Sequence, residues 1–277
     1  AENYGLSGLF WLTAILTVFG MLLVQFMVPY SVHKAPRGDS VALPEQLTKL
    51  MKDSQLSRLN IGVFILHMVL TACFVTLPKQ FVGAGLALES HWKLYLPTLL
   101  GSFFLMVPFM IYAIRKQKEK QMFVSAVLLM AMTLALLWFL PKSIISLVVL
   151  VALFFTSFNY LEATMPSILS RLAPAGVKGS VMGIYSSSQF FGAFIGGLVG
   201  GVIATAFSED AIFLVMAGIT VIWVLAALGM KPLKKSKSYS LATTIDCEEQ
   251  AEQVADKLIN MPGVIEATLV HTEAVAY

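Results

Sequence analysis

Charge is the scarcest ingredient of this chain of 277 residues: Asp, Glu, Lys and Arg together make up 13% of it, about half the share found in soluble domains, which is roughly 25%. Such a chain cannot cover a globule with a solvated surface. Its net charge of +3 is scattered among loops, so no basic patch exists for nucleic acid. Only two cysteines are present, Cys73 in an apolar run and Cys247 in a polar tail. No CxxC pair or Cys/His cluster occurs, which argues against a disulfide framework and a zinc site. We expect no cofactor and no bound metal. Ser186, Ser187 and Ser188 have no His or Asp close by, and no phosphate-cradling glycine loop with a lysine follows a strand, so no enzyme chemistry is indicated. A short polar lead runs into the first apolar stretch without the charged start and cleavage site of a secretory leader. We therefore expect a fragment of a longer protein.

Apolar residues are abundant: 57% of the chain, with 19 Phe and 14 Met and a mean hydropathy of +0.79. A membrane crossing takes about 20 mostly apolar residues. Seven stretches qualify, near 8–29, 60–81, 94–114, 122–140, 144–167, 180–207 and 211–230. Basic residues alternate between the connections. The first holds Lys34, Arg37, Lys49, Lys52 and Arg58, the third Arg115, Lys116, Lys118 and Lys120, and the fifth Arg171 and Lys178. Lys231, Lys234, Lys235 and Lys237 follow the last span, while the intervening loops are poorer in basic residues. The pattern predicts a multi-pass protein of the cell membrane, with the start of this chain outside and its tail in the cytoplasm.

The link 31–57 is the longest. Leu43, Leu47, Leu50 and Met51 share a helical face behind Pro44, as in a helix lying on the membrane surface or packed beneath the bundle. After Lys237 the character changes. A strand-like stretch, 238–245, precedes a helical pattern over 248–260 with Ala251, Val254, Ala255, Leu258 and Ile259 on one face. Met261–Pro262–Gly263 makes a turn, and 264–270 reads as a second strand. This βαβ order matches the start of a ferredoxin-like domain. Cys247 with Thr243 and Thr244 nearby does not make a metal site, so the tail reads as a regulatory or interaction module.

The most informative stretch is Ser170 to Gly201, SRLAPAGVKGSVMGIYSSSQFFGAFIGGLVGG. Ser188, Gly192, Gly196 and Gly200 fall at four-residue steps, and Gly197 and Gly201 form a second register. In lipid this spacing lets another backbone approach closely, so Gly192, Gly196 and Gly200 are assigned to helix packing. Tyr185 and Gln189 lie one turn apart on the same helix and are the preferred substrate-facing pair; interhelical hydrogen bonding is equally open to Gln189.

Glu162 is the one acidic residue inside a predicted span. A carboxyl group in a low dielectric holds its proton more tightly than in water, so it suits proton coupling. Asn159 lies one turn before it and, with Asn60 and Thr71, is also assigned to the substrate-facing set. Glu162 is also close to Pro166 and the expected end of its span, where it could pair with Arg115 or Lys116 as a latch, and depth favours that latch. His67, with Asn60 two turns before and Thr71 one turn after, could relay protons or simply tie helices together.

One span, a long link and then six spans resemble the last seven helices of a major facilitator superfamily transporter. PAGVKGSVMGIYSSSQFFGAFIGG is similar to the loop and eleventh helix of its drug:proton antiporter members. FNYLEATMPSILS and the βαβ tail add a resemblance to the YajR type, which carries a cytoplasmic ferredoxin-like domain. The resemblance implies an all-α membrane fold with a small truncated α/β tail. Residues 1–30 would be the last helix of the N-terminal half, 31–57 the linker, 58–231 the six-helix C-terminal half and 238–277 the partial tail domain. It also implies alternating access, with the bilayer, protons, a small amphipathic molecule to be exported and a missing N-terminal half as partners. The loop IYAIRKQKEK keeps the family's basic residues but lacks its glycine–acid pattern. Two other functions fit the residues less well. A retinal protein needs a lysine deep in its last span, and Lys231 stands at the edge. A sensor acting through its tail would not need so many polar-bearing spans.

Overall fold

The computed structural model describes residues 5–28, 48, 50–174, 177–231, 241–242, 248–262, 269–270 and 275–276. All seven expected spans are helices long and apolar enough to cross a membrane. The chain divides into two compact units, Ala1–Pro36 and Arg37–Tyr277. The first contains α1 (Gly5–Met27), which has no charged residue along its length.

The second unit holds α2 (Ser54–Gly83), α3 (Trp92–Arg115), α4 (Glu119–Phe139), α5 (Ile144–Leu172), α6 (Lys178–Ala206) and α7 (Ala211–Leu228). Local chemistry sets several of these ends. Asp53 caps α2 by accepting from the backbone N–H groups of Gln55 and Leu56 at 2.8 and 2.9 Å. Ser143 and Ser146 form a reciprocal capping box at the start of α5. Prolines 78, 97, 108 and 166 lie inside helices, as membrane helices tolerate where neighbours satisfy the freed carbonyls. Because α5 runs through Pro166 to Leu172, it is longer than the 144–167 expected.

The closest helix pair is α2 with α6; α4 packs on α5 and α7, and α3 on α5. The glycine register explains the first pairing. A methyl group at Gly192 would overlap the backbone of Phe64, and one at Gly196 would overlap the backbone of Met68 and the hydroxyl of Thr71. At Gly200 it would meet the Cα of Ala72 at 3.0 Å. Successive glycines thus meet successive turns of α2 in the same order, so the two helices run parallel with their backbones in contact. Gly197 and Gly201 meet nothing within 4 Å; only the first register packs. Across the bundle, Trp223 of α7 is buried against Gly62 and Phe123.

Ion pairs tie the helix ends together. At the end bearing the α3–α4 turn, Arg171 grips Glu119 with two hydrogen bonds of 2.6 and 3.3 Å, and Arg58 donates to the carbonyl of Gly229. At the opposite end Lys79 meets Glu209 at 2.6 Å, while Asp210 takes Lys142 at 3.3 Å and the Gln80 amide.

In the tail, α8 (Glu248–Ile259) falls where the pattern placed it. Three two-residue strands are described, β1 (Leu241–Ala242), β2 (Leu269–Val270) and β3 (Val275–Ala276). They pair antiparallel in the order β1-β3-β2; β3 was not expected. The rest of the expected strands, with Thr243, Thr244 and Cys247, lies outside the described residues. So does most of the linker helix, of which Leu50 is buried and Met51 exposed.

The two glycine registers separate experimentally. Gly196→Ala should destabilise the purified protein by about 1–3 kcal/mol, the usual range for overpacking. Gly197→Ala should leave it unchanged or raise stability by up to about 1 kcal/mol, since alanine favours the helix. Thermal unfolding in one detergent measures both, and equal effects would contradict the packing described.

Candidate functional site

The parallel contact of α2 and α6 carries His67 and Gln189 to the same level, and α5 brings Glu162 to meet them. Gln189 Nε2 lies 2.9 Å from His67 Nε2 and 3.3 Å from Glu162 Oε1. Glu162 Oε2 lies 3.7 Å from His67 Nε2; it is sealed from solvent and has no hydrogen-bond partner. That gap exceeds hydrogen-bond reach yet is short for an ion pair once the histidine is protonated.

Donor and acceptor roles follow from the partners. His67 Nδ1 faces the carbonyl of Val63 at 3.2 Å. A carbonyl only accepts, so Nδ1 carries the proton, and the neutral ring offers Nε2 as acceptor. The Gln189 amide then donates to both His67 Nε2 and Glu162 Oε1 through its two hydrogens. Phe158 covers the imidazole edge-on, with ring centroids 5.7 Å apart. The His67 side chain is 12% exposed and that of Glu162 35%, so the site is closed on the histidine side and open beside the glutamate.

The other candidate residues sort by their hydrogen bonds. Thr71 donates to the carbonyl of Ala193 on α6 at 2.8 Å, and Asn159 donates to Ser102 Oγ on α3 at 3.0 Å. Both are committed to neighbouring helices. Asn60 Oδ1 and Tyr185 Oη are buried and make no hydrogen bond. They lie toward the α3–α4 end, two turns before His67 on α2 and one turn before Gln189 on α6. A buried unpaired polar atom costs about 1–3 kcal/mol; among the described residues Gln55 Nε2 and Tyr95 Oη share this state. Ser188, in the packing register, bonds its own helix through Ile184.

The pairing of Glu162 with Arg115 or Lys116 needs correction. Glu162 meets His67 and Gln189 instead. It stands ten residues before the end of α5, about 15 Å along the axis at 1.5 Å per residue. Arg115 is the last residue of α3, and Lys116 caps it. The depth argument failed because α5 continues past Pro166. Among the described residues Arg115 and Lys116 form no ion pair; the bridge between helix ends here is Arg171–Glu119, which sequence reasoning missed. Ser102 was missed too, although a small polar residue beside Gly101 in an apolar run is a recognisable signal.

The profile of the Major Facilitator Superfamily matches residues 1–197 and 160–246. The inner membrane transport protein YajR of Escherichia coli is 38% identical over 278 residues, covering all of this chain and 61% of that protein. Two uncharacterised transporters of Buchnera aphidicola are 32% and 33% identical, over 70% and 80% of this chain and 50% and 57% of their own lengths. The chain thus spans between half and three-fifths of these relatives.

A double-mutant cycle tests the cluster. His67→Phe and Gln189→Leu, alone and together, should show a coupling of about 0.5–1.5 kcal/mol in thermal or denaturant unfolding. Additivity would mean that the two side chains do not interact.

Proposed function

Since the chain belongs to the major facilitator superfamily, we propose that it is the C-terminal half, with one preceding helix, of a proton-coupled secondary carrier that works by alternating access. The observation that carries this reading is the meeting of His67, Gln189 and Glu162 from three helices. A proton has two places to sit there, and the amide between them responds to which is filled. With His67 neutral, the Gln189 NH2 group faces both partners. A proton on His67 Nε2 would put two donors against each other, so the amide must turn its oxygen to the ring. Glu162 then loses its donor and gains a cation beside it. Protonation of Glu162 removes that attraction. Such a pair of arrangements is a bistable element of the kind that alternating access requires.

Asn60 and Tyr185, unpaired below the cluster, are proposed to face the substrate, a small amphipathic molecule moved outward against proton entry. The absent partner is a second six-helix half. In support, α3 and α6 turn large apolar side chains outward, among them Phe103, Phe104, Phe190 and Phe194. The gathering of Arg58, Arg115 and Arg171 at one end supports a cytoplasmic position for that end and for the tail. Pairing in the order β1-β3-β2 agrees with a ferredoxin-like tail, where a right-handed βαβ crossover leaves room for an antiparallel third strand between its two.

The full-length carrier in everted membrane vesicles provides the test. Wild-type vesicles should take up amphipathic dyes in a manner that collapses with the proton gradient. Glu162→Gln should lower gradient-driven transport at least tenfold while downhill exchange of dye persists. Transport by that variant with wild-type pH dependence would remove Glu162 from the mechanism.

A further inference from the structure

The α3–α4 turn gathers Arg115, Lys116, Lys118 and Lys120 within six residues. The one acid among them, Glu119, is taken by Arg171 of α5. No carboxylate among the described residues pairs with Arg115, Lys116, Lys118 or Lys120. Lys118 Nζ instead lies against Tyr112, 3.4 Å from its hydroxyl and 5.8 Å from its ring centroid. Gln117 holds the turn in the left-handed region at φ 55°, a conformation that costs a non-glycine residue about 1–2 kcal/mol. The turn therefore presents four cations, with a tyrosine beside them, at the level where lipid headgroups lie.

Directly below it the structure contains a crevice of about 100 Å³ between α3, α4 and α5, lined by Phe109, Met122, Ser125, Leu129, Thr156 and Tyr160 among others. Phe109 is six residues from Arg115 and Leu129 nine from Lys120, so the crevice begins within about 10 Å of the cations and runs further inward at 1.5 Å per residue. Two of its four hydroxyl-bearing residues bond their own helix. Thr156 donates to the Ala152 carbonyl at 2.7 Å and Ser157 to the Phe154 carbonyl at 2.8 Å. What remains facing the cavity is largely methyl, methylene and ring surface. Such a largely apolar lining favours an apolar occupant over a polar solute. At this depth in a membrane helix bundle its volume of about 100 Å³ matches a few methylene groups of an acyl chain, since a cavity of about 150 Å³ holds one benzene.

We propose that the α3–α4 turn and the crevice beneath it form one binding site for an anionic phospholipid, with its phosphate on Lys116, Lys118 and Lys120 and one acyl chain between α3, α4 and α5. Neither part alone defines the ligand. A basic turn without a cavity would attract any anionic surface, and a cavity without charge would accept any tail. Their vertical alignment on one helix hairpin selects a molecule with a phosphate at one end and a chain at the other. The site is separate from the His67–Gln189–Glu162 cluster and stands whether or not that cluster handles protons.

The test uses the full-length carrier in nanodiscs of phosphatidylcholine alone or mixed with phosphatidylglycerol, read by thermal unfolding and by lipid retained in native mass spectrometry. Phosphatidylglycerol should raise the melting temperature by several degrees and be retained in preference; glycerol phosphate should do neither. Lys116→Gln/Lys118→Gln/Lys120→Gln should lower that preference at least tenfold, since each lysine beside an anionic surface is worth a factor of about five. The corresponding triple arginine variant should keep it. Ser125→Leu, which fills the mouth of the crevice, should also abolish retention while melting normally in phosphatidylcholine. Equal retention of the two lipids by the wild type would overturn the proposal. So would loss in the glutamine variant with retention intact in Ser125→Leu, which indicates surface attraction only. The reverse pattern, loss in Ser125→Leu alone, would mean an apolar occupant with no headgroup contact and would overturn it as well.

Discussion

Backbone contact between α2 and α6 is the constraint from which the centre of this bundle follows. Lipid tails are as apolar as leucine, so two membrane helices gain little by hiding apolar side chains from lipid. They gain by close van der Waals approach, and here three glycines permit it against Phe64, Met68 and Ala72. The contact is parallel and long, so it also fixes register. Side chains on its flank meet at set levels: Thr71 with the Ala193 carbonyl, and His67 with Gln189. The polar site is thus a consequence of the packing seam. A methyl group in the seam would separate the same helices that hold the histidine and the amide together.

Around that seam the polar groups divide into two kinds. One kind closes the structure. Asp210 binds Lys142 and Gln80 at one end, Arg171 binds Glu119 at the other, and Asn159 reaches Ser102 across α3 and α5. These groups have partners and tie together five of the six helices, all but α6, which suits a half that is proposed to rock as a unit. The other kind is left incomplete. Asn60 and Tyr185 are sealed without partners, and Glu162 Oε2 stands just beyond bonding reach of His67. A membrane interior makes such incompleteness costly, and these atoms beside His67 and Gln189 support the proposal that a ligand or a proton belongs there.

The hairpin of α3 and α4 shows the same division on the outside of the bundle. It packs on α5, while its turn keeps four cations without acidic partners among the described residues and its inner walls leave a largely apolar crevice. Both features lie away from the seam, so the part of the protein that meets lipid is built independently of the part proposed to move protons.

How much of this was legible beforehand depends on the range of the interaction. Seven spans, their order and the packing glycines follow from composition and spacing, because a lipid-crossing helix is a local object that satisfies its own backbone. The membership of Glu162, His67 and Gln189 in some polar site was equally visible, since each is out of place in an apolar run. Which of them touch was not. By apparent depth the sequence favoured pairing Glu162 with Arg115 or Lys116 over a proton-coupling role. Helix rotation and the extension of α5 past Pro166 decided otherwise, and neither leaves a trace in local pattern. Hydropathy and spacing thus determined what each helix is and which of its positions are unusual. Only the tertiary structure settled which unusual positions share a level, because that depends on the phase and register of helices far apart in the chain.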